Sequence, residues 1–358
     1  MDDLLILTVN PGSTSTKVAV FNNNKSVFLK NIKHSGEELK PFKKITDQYE
    51  FRMEKILGEL ENANIKIDDI SAVVGRGGLV KPIESGVYEV NEKMLEDLRE
   101  GVLGQHASNL GGIIAHEIAS RTKGSRAFIA DPVVVDEMQD VARVAGHPRF
   151  KRISIFHALN QKAVARSHSA SFEKKYEELN LIVVHLGGGV SVGAHCRGRV
   201  IDVNNALDGE GPFSPERSGT LPAGELVKTC FSGEFTMEEV KSMITGNGGY
   251  MAYFNTNDAH EIEVRAKKGD KEAALIQDAL AYQVAKEIGS MATVLKGKVD
   301  AIILTGGMAY NNILVSCVRE MVSFIAPVAV YPGEDEMKSL AMNGYMALNG
   351  AVDIKKYE

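Results

Sequence analysis

The sequence predicts an α/β protein with two similar lobes, each built on a mixed β-sheet flanked by helices, and with a cleft between the lobes. Strands and helices alternate over most of the 358 residues, a pattern typical of largely parallel sheets covered by helices. Each half also opens with three short strands joined by turns, which adds antiparallel strands. The two openings start at Leu4 and Leu181, about half the chain apart, which indicates an internal duplication.

Composition and charge exclude several classes of protein. Hydrophobic residues make up 44% and charged residues 25% of the chain, which is ordinary for a soluble globular protein and excludes global disorder. The net charge of −6 argues against nucleic-acid binding by bulk charge. Apolar runs fall short of the roughly 18 residues of a membrane span.

The N-terminus and the cysteines favour a cytoplasmic protein. The chain begins Met1-Asp2-Asp3, whereas a signal peptide would start with positive charge. Three cysteines lie far apart and form neither a zinc pattern nor a disulfide framework, so a reducing compartment is the simplest interpretation. We expect no nucleic-acid or membrane partner. The Met-rich and apolar helices leave room for a homo-oligomer.

The first half is predicted to open with a β-meander, because its strands are separated by short stretches rich in turn residues. One helix over residues 37–60 follows. A short apolar strand then leads directly into Gly75-Arg76-Gly77-Gly78. The predicted strands of this half are residues 4–9, 18–21, 26–32 and 71–74.

The second half repeats the opening and continues as alternating strands and helices. Its longest predicted helix, residues 271–295, carries one apolar stripe in steps of three and four. We expect the lobes to comprise residues 1–155 with 336–358, and residues 156–335. The other predicted elements are strands 181–184, 192–196, 200–203, 299–304 and 328–331, and helices 311–324 and 334–348.

Two glycine-containing hairpin tips, residues 10–17 and 185–191, are the main functional candidates. Backbone N–H groups in a tight turn and nearby hydroxyls can bind phosphate oxygens, although an ordinary polar turn is the alternative for the first tip. Three consecutive glycines in the second tip favour close approach of a ligand, with a bulged strand pair as the alternative. The candidate phosphate-binding residues are Asn10, Gly12, Ser13, Thr14, Ser15, Lys17, His185, Gly187, Gly188 and Gly189.

Neither tip matches a standard nucleotide fingerprint. A G-x-G-x-x-G motif starting at Gly187 would need glycine at the position of Val192. The Gly297-Lys298 pair fails as a Walker A motif, because Ala292 stands where the first glycine belongs. A Rossmann dehydrogenase and a P-loop NTPase are both disfavoured.

The pair Gly306-Gly307 follows a predicted buried strand and precedes a helix that begins near Asn311. Small residues at the carboxyl end of a strand leave room for a flat ring, or for a phosphate near the helix N-terminus. Close helix–strand packing would explain one glycine better than two. The pattern therefore favours nucleotide binding over packing.

Two arginines and two histidines are weaker candidates. Arg76 and Arg217 lie on glycine-flanked loops, from which a guanidinium can reach a carboxylate or a phosphate. His106 and His157 each stand directly before a predicted helix, and spacing alone does not separate a functional from a structural role.

The candidate carboxylates also have structural alternatives. Asp131 follows an apolar run, at a strand end where catalytic carboxylates often lie, but a loop or cap role would place it there too. Glu334, Asp335 and Glu336 open the last predicted helix. They suit the helix dipole, and one of them could bind Mg²⁺.

Six segments, taken together, carry a family resemblance that covers nearly the whole chain. They are NPGSTSTK at residues 10–17, GRGG at 75–78, QHASNL at 105–110, FHALN at 156–160, HLGGG at 185–189 and RSG at 217–219. As a set they resemble the acetate and butyrate kinase family, within the superfamily of actin-like sugar kinases and Hsp70. Acetate kinases are usually longer, and have Asn-Gly at Gly188-Gly189 and aspartate at Thr220. These departures favour the butyrate and branched-chain branch of the family.

The resemblance implies an actin-like, ribonuclease H-like fold and a reversible phosphoryl transfer. The γ-phosphoryl of ATP would pass to a short-chain carboxylate, giving ADP and an acyl phosphate, with Mg²⁺ as the metal ion. Residues 1–155 with 336–358 would bind the acyl substrate, and residues 156–335 the nucleotide. A carboxylate needs no general base, so the main task is to reduce repulsion between two anions.

The resemblance also implies a role for each candidate residue. Arg76 and Arg217 would hold the carboxylate and the moving phosphoryl group, and His157 would donate a hydrogen bond to that group. Asp131 would orient Arg217 or a metal-bound water. The remaining assignments are His106 and Gly77 to the acyl substrate, Asn10 and Glu336 to Mg²⁺, and Gly306, Gly307 and Asn311 to adenosine.

Two alternatives share the superfamily fold. An ATP-driven conformational module of the Hsp70 or actin type would hydrolyse ATP slowly and would not respond to a small acceptor. A sugar kinase would need Asp131 as a general base, because a sugar hydroxyl must lose its proton.

Overall fold

The computed structural model describes residues 4–358, which form two compact units. The first unit comprises the chain up to Val135 together with Asp335–Glu358, and the second comprises Asp136–Glu334. The first boundary thus lies before residue 136, whereas the sequence placed it after residue 155.

Residues 136–155 belong to the second unit because their polar side chains find partners there. Glu137 accepts a hydrogen bond from Lys162 at 2.7 Å, and both side chains are buried. Arg152 donates to Asp202 at 2.9 Å. Buried charges need such partners, and they tie this segment to the second unit.

Each predicted strand overlaps an observed one, and the short strands Val87–Glu89 and Ile354–Lys356 were not predicted. The observed strands are β1 Leu5–Pro11, β2 Ser15–Asn22, β3 Lys25–Lys33, β4 Ile70–Arg76, β5 Val87–Glu89, β6 Arg126–Ala130, β7 Asn180–Leu186, β8 Val190–Cys196, β9 Arg199–Val203, β10 Ala301–Gly306, β11 Val328–Pro332 and β12 Ile354–Lys356.

The helices vary in length from single turns to the 24 residues of α11. Within residues 4–358, none of them is both long and apolar enough for a membrane crossing. They are α1 Gly36–Leu39, α2 Tyr49–Asn62, α3 Glu92–Glu100, α4 Asn109–Ser120, α5 Asp140–Arg143, α6 Ala158–Ser171, α7 Ala223–Cys230, α8 Met237–Ile244, α9 Tyr250–Phe254, α10 Ala259–Lys267, α11 Lys271–Val294, α12 Asn312–Val322 and α13 Glu336–Leu348.

Both units contain the same five-stranded arrangement. The sheet of the first unit has the order β12-β5-β6-β4-β1-β2-β3, and that of the second has the order β11-β10-β7-β8-β9. In each, three strands pair antiparallel (β1–β3 and β7–β9), and the first of them continues into parallel strands (β4 and β6, or β10 and β11). This repeated order agrees with the predicted duplication.

Helices cover these sheets and complete the predicted α/β architecture. Helices α4 and α13 pack against β1 and β4 in the first unit, and α6 and α11 pack against β7 in the second. The apolar stripe predicted over residues 271–295 is present on α11, where Leu280, Val284 and Ile288 are fully buried. The predicted mixed sheets flanked by helices are confirmed.

The single helix predicted over residues 37–60 is wrong. Helix α1 ends at Leu39, and α2 starts only at Tyr49. Pro41 explains the break, because proline has no N–H to donate to the carbonyl four residues before it and its ring crowds the preceding turn.

Helix α4 lies against β4 at a distance that only glycine allows. A Cβ on Gly75 would overlap the carbonyl of Gly111, and a Cβ on Gly111 would overlap the carbonyl of Arg76. The two backbones are therefore in direct contact, and this contact holds the end of β4 and the backbone of Arg76.

We expect Gly75→Ala to lower the free energy of unfolding by about 1–3 kcal/mol, because the added methyl group must displace α4 from β4. Urea denaturation measures this change. Gly58→Ala in α2 is the matched control, since its Cβ would meet open space and alanine is favoured over glycine within a helix. An unchanged unfolding midpoint for Gly75→Ala would contradict the close contact.

Candidate active site

The carboxyl ends of β1 and β4 bring three predicted site residues together. Because these strands are parallel neighbours, Asn10 and Arg76 leave them side by side, with Arg76 Nη1 3.3 Å from Asn10 Oδ1. Glu336, in the first turn of α13, accepts a hydrogen bond from Asn10 Nδ2 and pairs with Arg76 at 3.1 Å. We call Asn10, Arg76 and Glu336 the Asn10 cluster.

The oxygen atoms of the Asn10 cluster suit one kind of metal ion. Over residues 4–358, no three His, Cys, Asp or Glu side chains converge in a way that could hold a metal. Mg²⁺ does not require such a cage, because it usually keeps several waters and binds through one or two carboxylates and the phosphates of a substrate. The Glu336 carboxylate and the Asn10 amide oxygen therefore fit Mg²⁺ that arrives with a nucleotide.

The first hairpin tip, between β1 and β2, is supported from within by Arg52 of α2. The fully buried Arg52 guanidinium donates hydrogen bonds to the carbonyls of Gly12, Ser13 and Ser15 at 2.7, 3.0 and 3.1 Å. The C=O and N–H of a trans peptide point in opposite directions. The amides of Ser13 and Thr14 therefore point away from Arg52, the orientation that an anion-binding turn needs.

His34 extends this buried network. Its Nε2 lies 2.8 Å from Thr16 Oγ1, and its backbone amide donates to the Thr14 carbonyl at 2.8 Å. Burial, with the positive charge of Arg52 nearby, lowers the pKa of His34 from 6.5 to about 4. The ring is therefore neutral at pH 7, which avoids a second buried cation beside Arg52.

The second hairpin tip, between β7 and β8, lies beside His157, the N-cap residue of α6. The rings of His157 and His185 are stacked with their centroids 3.8 Å apart. His157 Nδ1 lies 2.8 Å from Ser191 Oγ, and His185 Nδ1 lies 2.8 Å from Asn160 Oδ1. The two strands and the first turn of α6 thus fix both imidazoles.

Arg217 lies against the same tip. A Cβ on Gly189 would overlap the Arg217 guanidinium and would lie 3.3 Å from His157 Cε1. Arg217 Nη1 donates to the Ala206 carbonyl at 2.7 Å, and burial lowers the pKa of Arg217 from its ordinary value. The glycine therefore makes room for a cation beside an imidazole.

We call His157, His185, Ser191 and Arg217 the His157 cluster. An imidazole, a guanidinium and glycine backbone amides placed together can bind several oxygen atoms of one phosphoryl group. Ser214 steadies the tip, since its hydroxyl donates to the Gly188 carbonyl at 2.6 Å.

Asp131 has a clear structural task. Its Oδ1 accepts hydrogen bonds from the Ser85 hydroxyl at 2.6 Å and from the Gly86 amide at 2.9 Å. Its backbone has a φ of +39°, a left-handed conformation that aspartate tolerates better than most residues. The loop alternative raised by the sequence is therefore present, and the catalytic role stays a prediction.

The two residues predicted to contact the acyl substrate differ in their surroundings. His106 is exposed just before α4, with Nδ1 2.7 Å from Ser108 Oγ. Gly77 is buried, and a Cβ there would lie 2.5 Å from Pro132 Cβ. Packing explains Gly77, whereas the exposed ring of His106 leaves room for a ligand.

The predicted adenosine-binding residues differ in whether local packing or helix capping already explains them. Gly306 has a φ of +90°, and a Cβ there would overlap the backbone of Leu186, whereas a Cβ on Gly307 would enter open space. Asn311 caps α12 by accepting from Ile313 and Leu314 amides. Only Gly307 is left without a packing reason, as expected for a residue that makes room for a ligand.

Sequence reasoning missed the residues that hold the two tips in place. Arg52 was not singled out, although a lone arginine on the apolar face of α2 is a usable signal for a buried cation. Gln161, whose amide donates to Ser191 Oγ at 2.8 Å, was also missed. It lies four residues after His157 on α6 and therefore shares its face. The tip carbonyls that Arg52 contacts, and the Ser191 hydroxyl that Gln161 contacts, are distant in sequence, so these pairings leave no local pattern.

The fold recurs in solved structures. The acetate kinase of Porphyromonas gingivalis is similar with a TM-score of 0.78, covering 96% of this chain and 100% of that chain at 19% sequence identity. This likeness confirms the predicted fold: the protein belongs to the actin-like α/β class.

Sequence comparison gives the family within that class. The profile of the Acetokinase family matches residues 150–336. Butyrate kinase 2 of Clostridium acetobutylicum is 57% identical over 353 residues, and butyrate kinase 1 of that organism is 56% identical over 353 residues, with 99% of each chain covered in both comparisons. The chain belongs to the acetokinase family, and the predicted resemblance is confirmed.

We expect His34 to make stability depend on pH between about 4 and 6.5. The unfolded chain binds the proton more tightly than the folded one in this range, so stability is complete above pH 6.5 and falls as the pH decreases. The loss attributable to His34 is at most about 3 kcal/mol. Urea denaturation of wild type and His34→Gln at pH 4.5 and 7.5 measures it. Equal pH dependence in both proteins would contradict this expectation.

Proposed function

We propose that this protein transfers the γ-phosphoryl group of ATP reversibly to a short-chain carboxylate, butyrate or isobutyrate, to give ADP and an acyl phosphate. The His157 cluster carries the proposal, because it combines a hydrogen-bond donor, a cation and a glycine turn within one unit. The 57% identity to a butyrate kinase over 99% of both chains supports the choice of acceptor.

Repulsion between the reactants is the main barrier to this reaction. The carboxylate is already an anionic nucleophile, so a general base is not needed. Both reactants are negatively charged, and charge on the equatorial oxygens of the phosphoryl group must be stabilised as it moves in line. Fixed cations and hydrogen-bond donors lower this barrier because they need little reorganisation.

In the first unit, Arg76 is our candidate for holding the carboxylate. Its guanidinium is kept in place by Asn10 and Glu336, so it presents a fixed charge. His106 contributes to the acyl pocket from its exposed position before α4. The amides of the first tip, which Arg52 turns outward, are candidates for contact with phosphate.

In the second unit, Arg217 and His157 are our candidates for contacting the moving phosphoryl group. Arg217 supplies charge, and His157 supplies an N–H donor beside it. The amides of Gly187, Gly188 and Gly189 contribute further donors to the nucleotide phosphates. Adenosine would rest near Gly307, where the structure leaves space.

Mg²⁺ would be held through Glu336 and Asn10, together with oxygen atoms of the nucleotide. When bound, it reduces the negative charge on the phosphates. The Glu336 carboxylate also pairs with Arg76 and accepts a hydrogen bond from Asn10.

We further propose that the protein is a cytoplasmic homo-oligomer. The three cysteines are free, which suits a reducing compartment. Large apolar side chains are exposed on or directly beside helices α7 and α8, among them Val227, Phe231 and Met237. Such a patch is typical of a surface that contacts another subunit.

The decisive experiment is a product assay. Purified protein is incubated with ATP and Mg²⁺, and with butyrate, isobutyrate, propionate, acetate or glucose in separate reactions. We expect ADP release that depends on the acid, and an acyl phosphate that hydroxylamine traps, with butyrate or isobutyrate giving the highest kcat/KM. ATP hydrolysis unaffected by any acid, or phosphorylation of glucose, would refute the proposal.

We expect Arg217→Ala to lower kcat by about 10²–10³-fold, because it removes a charge that acts on the moving phosphoryl group. The dissociation constant for ATP, measured by calorimetry, should change less than about threefold. Arg319→Ala, an exposed arginine on α12, is the matched control and should retain full activity. An equal loss of ATP affinity would argue against the role given to Arg217.

A further inference from the structure

Five side chains form a continuous hydrogen-bonded chain that ends at His157. Tyr176 Oη lies 2.6 Å from His195 Nδ1, and His195 Nε2 lies 2.9 Å from Gln161 Oε1. Gln161 Nε2 lies 2.8 Å from Ser191 Oγ, which lies 2.8 Å from His157 Nδ1. Gln161, Ser191 and His195 are fully buried. Each polar hydrogen of these three groups must therefore find its acceptor within the protein.

The backbone carbonyl of Ser191 decides which group donates and which accepts in this series of hydrogen bonds. Gln161 Nε2 lies 3.1 Å from the Ser191 carbonyl, which can only accept, so the NH₂ end of the amide faces Ser191. Gln161 Oε1 must then accept from His195, which places the His195 proton on Nε2. Burial lowers the pKa of His195 well below its ordinary value, so this ring is neutral and its Nδ1 accepts from the Tyr176 hydroxyl.

The same order of donors and acceptors continues from Ser191 to His157. Its Oγ already accepts from Gln161, so its own O–H needs an acceptor, and His157 Nδ1 is in position. If Nδ1 instead carried a proton, the serine hydroxyl hydrogen would be buried with no acceptor among its described partners, which is unfavourable. The proton of a neutral His157 therefore lies on Nε2.

Gly193 of β8 provides the space for the hydrogen bond between Gln161 and His195. A Cβ on Gly193 would lie 2.6 Å from Gln161 Oε1 and 3.1 Å from His195 Nε2. Any larger residue would separate the two groups. A glycine in the middle of a strand costs stability, and here it permits a buried side-chain hydrogen bond.

We propose that Gln161 is a positioning residue that acts through Ser191 to hold His157 as the Nε2–H tautomer, so that the ring donates a hydrogen bond to the phosphoryl group. The inference rests on the proposed function for its last step, the donation to phosphate. The tautomer itself follows from the hydrogen bonds alone. A flexible imidazole would divide its population between two tautomers, and only one of them donates from Nε2.

The test replaces the donor end of Gln161 by an acceptor. In Gln161→Glu, studied at a pH where the introduced carboxyl is ionised, both side-chain oxygens only accept hydrogen bonds. The Ser191 hydroxyl then donates to the carboxylate, Ser191 Oγ accepts from His157, and the His157 proton moves to Nδ1. Ring ¹⁵N–¹H correlation spectra report the tautomer, and loss of the signal in His157→Gln assigns it. We expect Nε2–H in wild type and Nδ1–H in Gln161→Glu, with kcat lowered about 10–100-fold and KM for ATP changed less than about threefold.

Two further variants complete the experiment. Gln161→Met keeps the size of the side chain but removes its hydrogen bonds, and should lower kcat less than Gln161→Glu does. Ser169→Ala, another buried serine, whose hydroxyl bonds to Ala165 within α6, should keep both the tautomer and kcat. Circular dichroism checks that each variant is folded.

Two results would overturn the inference: Nε2–H retained in Gln161→Glu, or a shifted tautomer with wild-type kcat. A wild-type protein that forms no acyl phosphate would instead refute the proposed function. The spectra would still report the tautomer of His157, so the two failures can be told apart.

Discussion

The hydrogen bonds from the buried Arg52 guanidinium to the carbonyls of Gly12, Ser13 and Ser15 are the interaction on which the first hairpin tip depends. A guanidinium removed from water must have its N–H groups satisfied, and the tip supplies the acceptors. This requirement fixes the peptide planes of the tip. Burial lowers the pKa of Arg52 to about 10, so the group keeps its charge at neutral pH.

Each unit holds its hairpin tip in place, but the two units use different side chains to do so. The first tip is held by hydrogen bonds from a buried arginine of a helix, whereas the second is held by the Ser214 hydroxyl and by the close packing of Gly189 against Arg217. An internal duplication explains the shared strand order. The different supports match the different tasks that we propose for the units, acyl binding in one and nucleotide binding in the other.

Local patterns in the sequence located most of the strands, because turn residues and apolar runs mark their ends. The three-residue strands β5 and β12 are too short to carry such a pattern. Local patterns also singled out both tips, Asn10 and Arg76, whereas Glu336 was assigned through the family resemblance. They failed over residues 37–60, where the effect of Pro41 was overlooked, and at the boundary near residue 136, which depends on the Glu137–Lys162 pair. Gln161 and Arg52 could not be found in this way, since their roles come from partners brought close by the fold.

The contact between Gly75 and Gly111 has a practical consequence for protein engineering. The backbone of α4 rests on that of β4, so the position of Arg76 is set by main-chain atoms rather than by neighbouring side chains. Because we propose that Arg76 holds the carboxylate, mutant libraries intended to change the preferred acid should leave both glycines invariant. Diversity is better placed at exposed positions such as His106, where a new side chain can be accommodated without displacing the guanidinium.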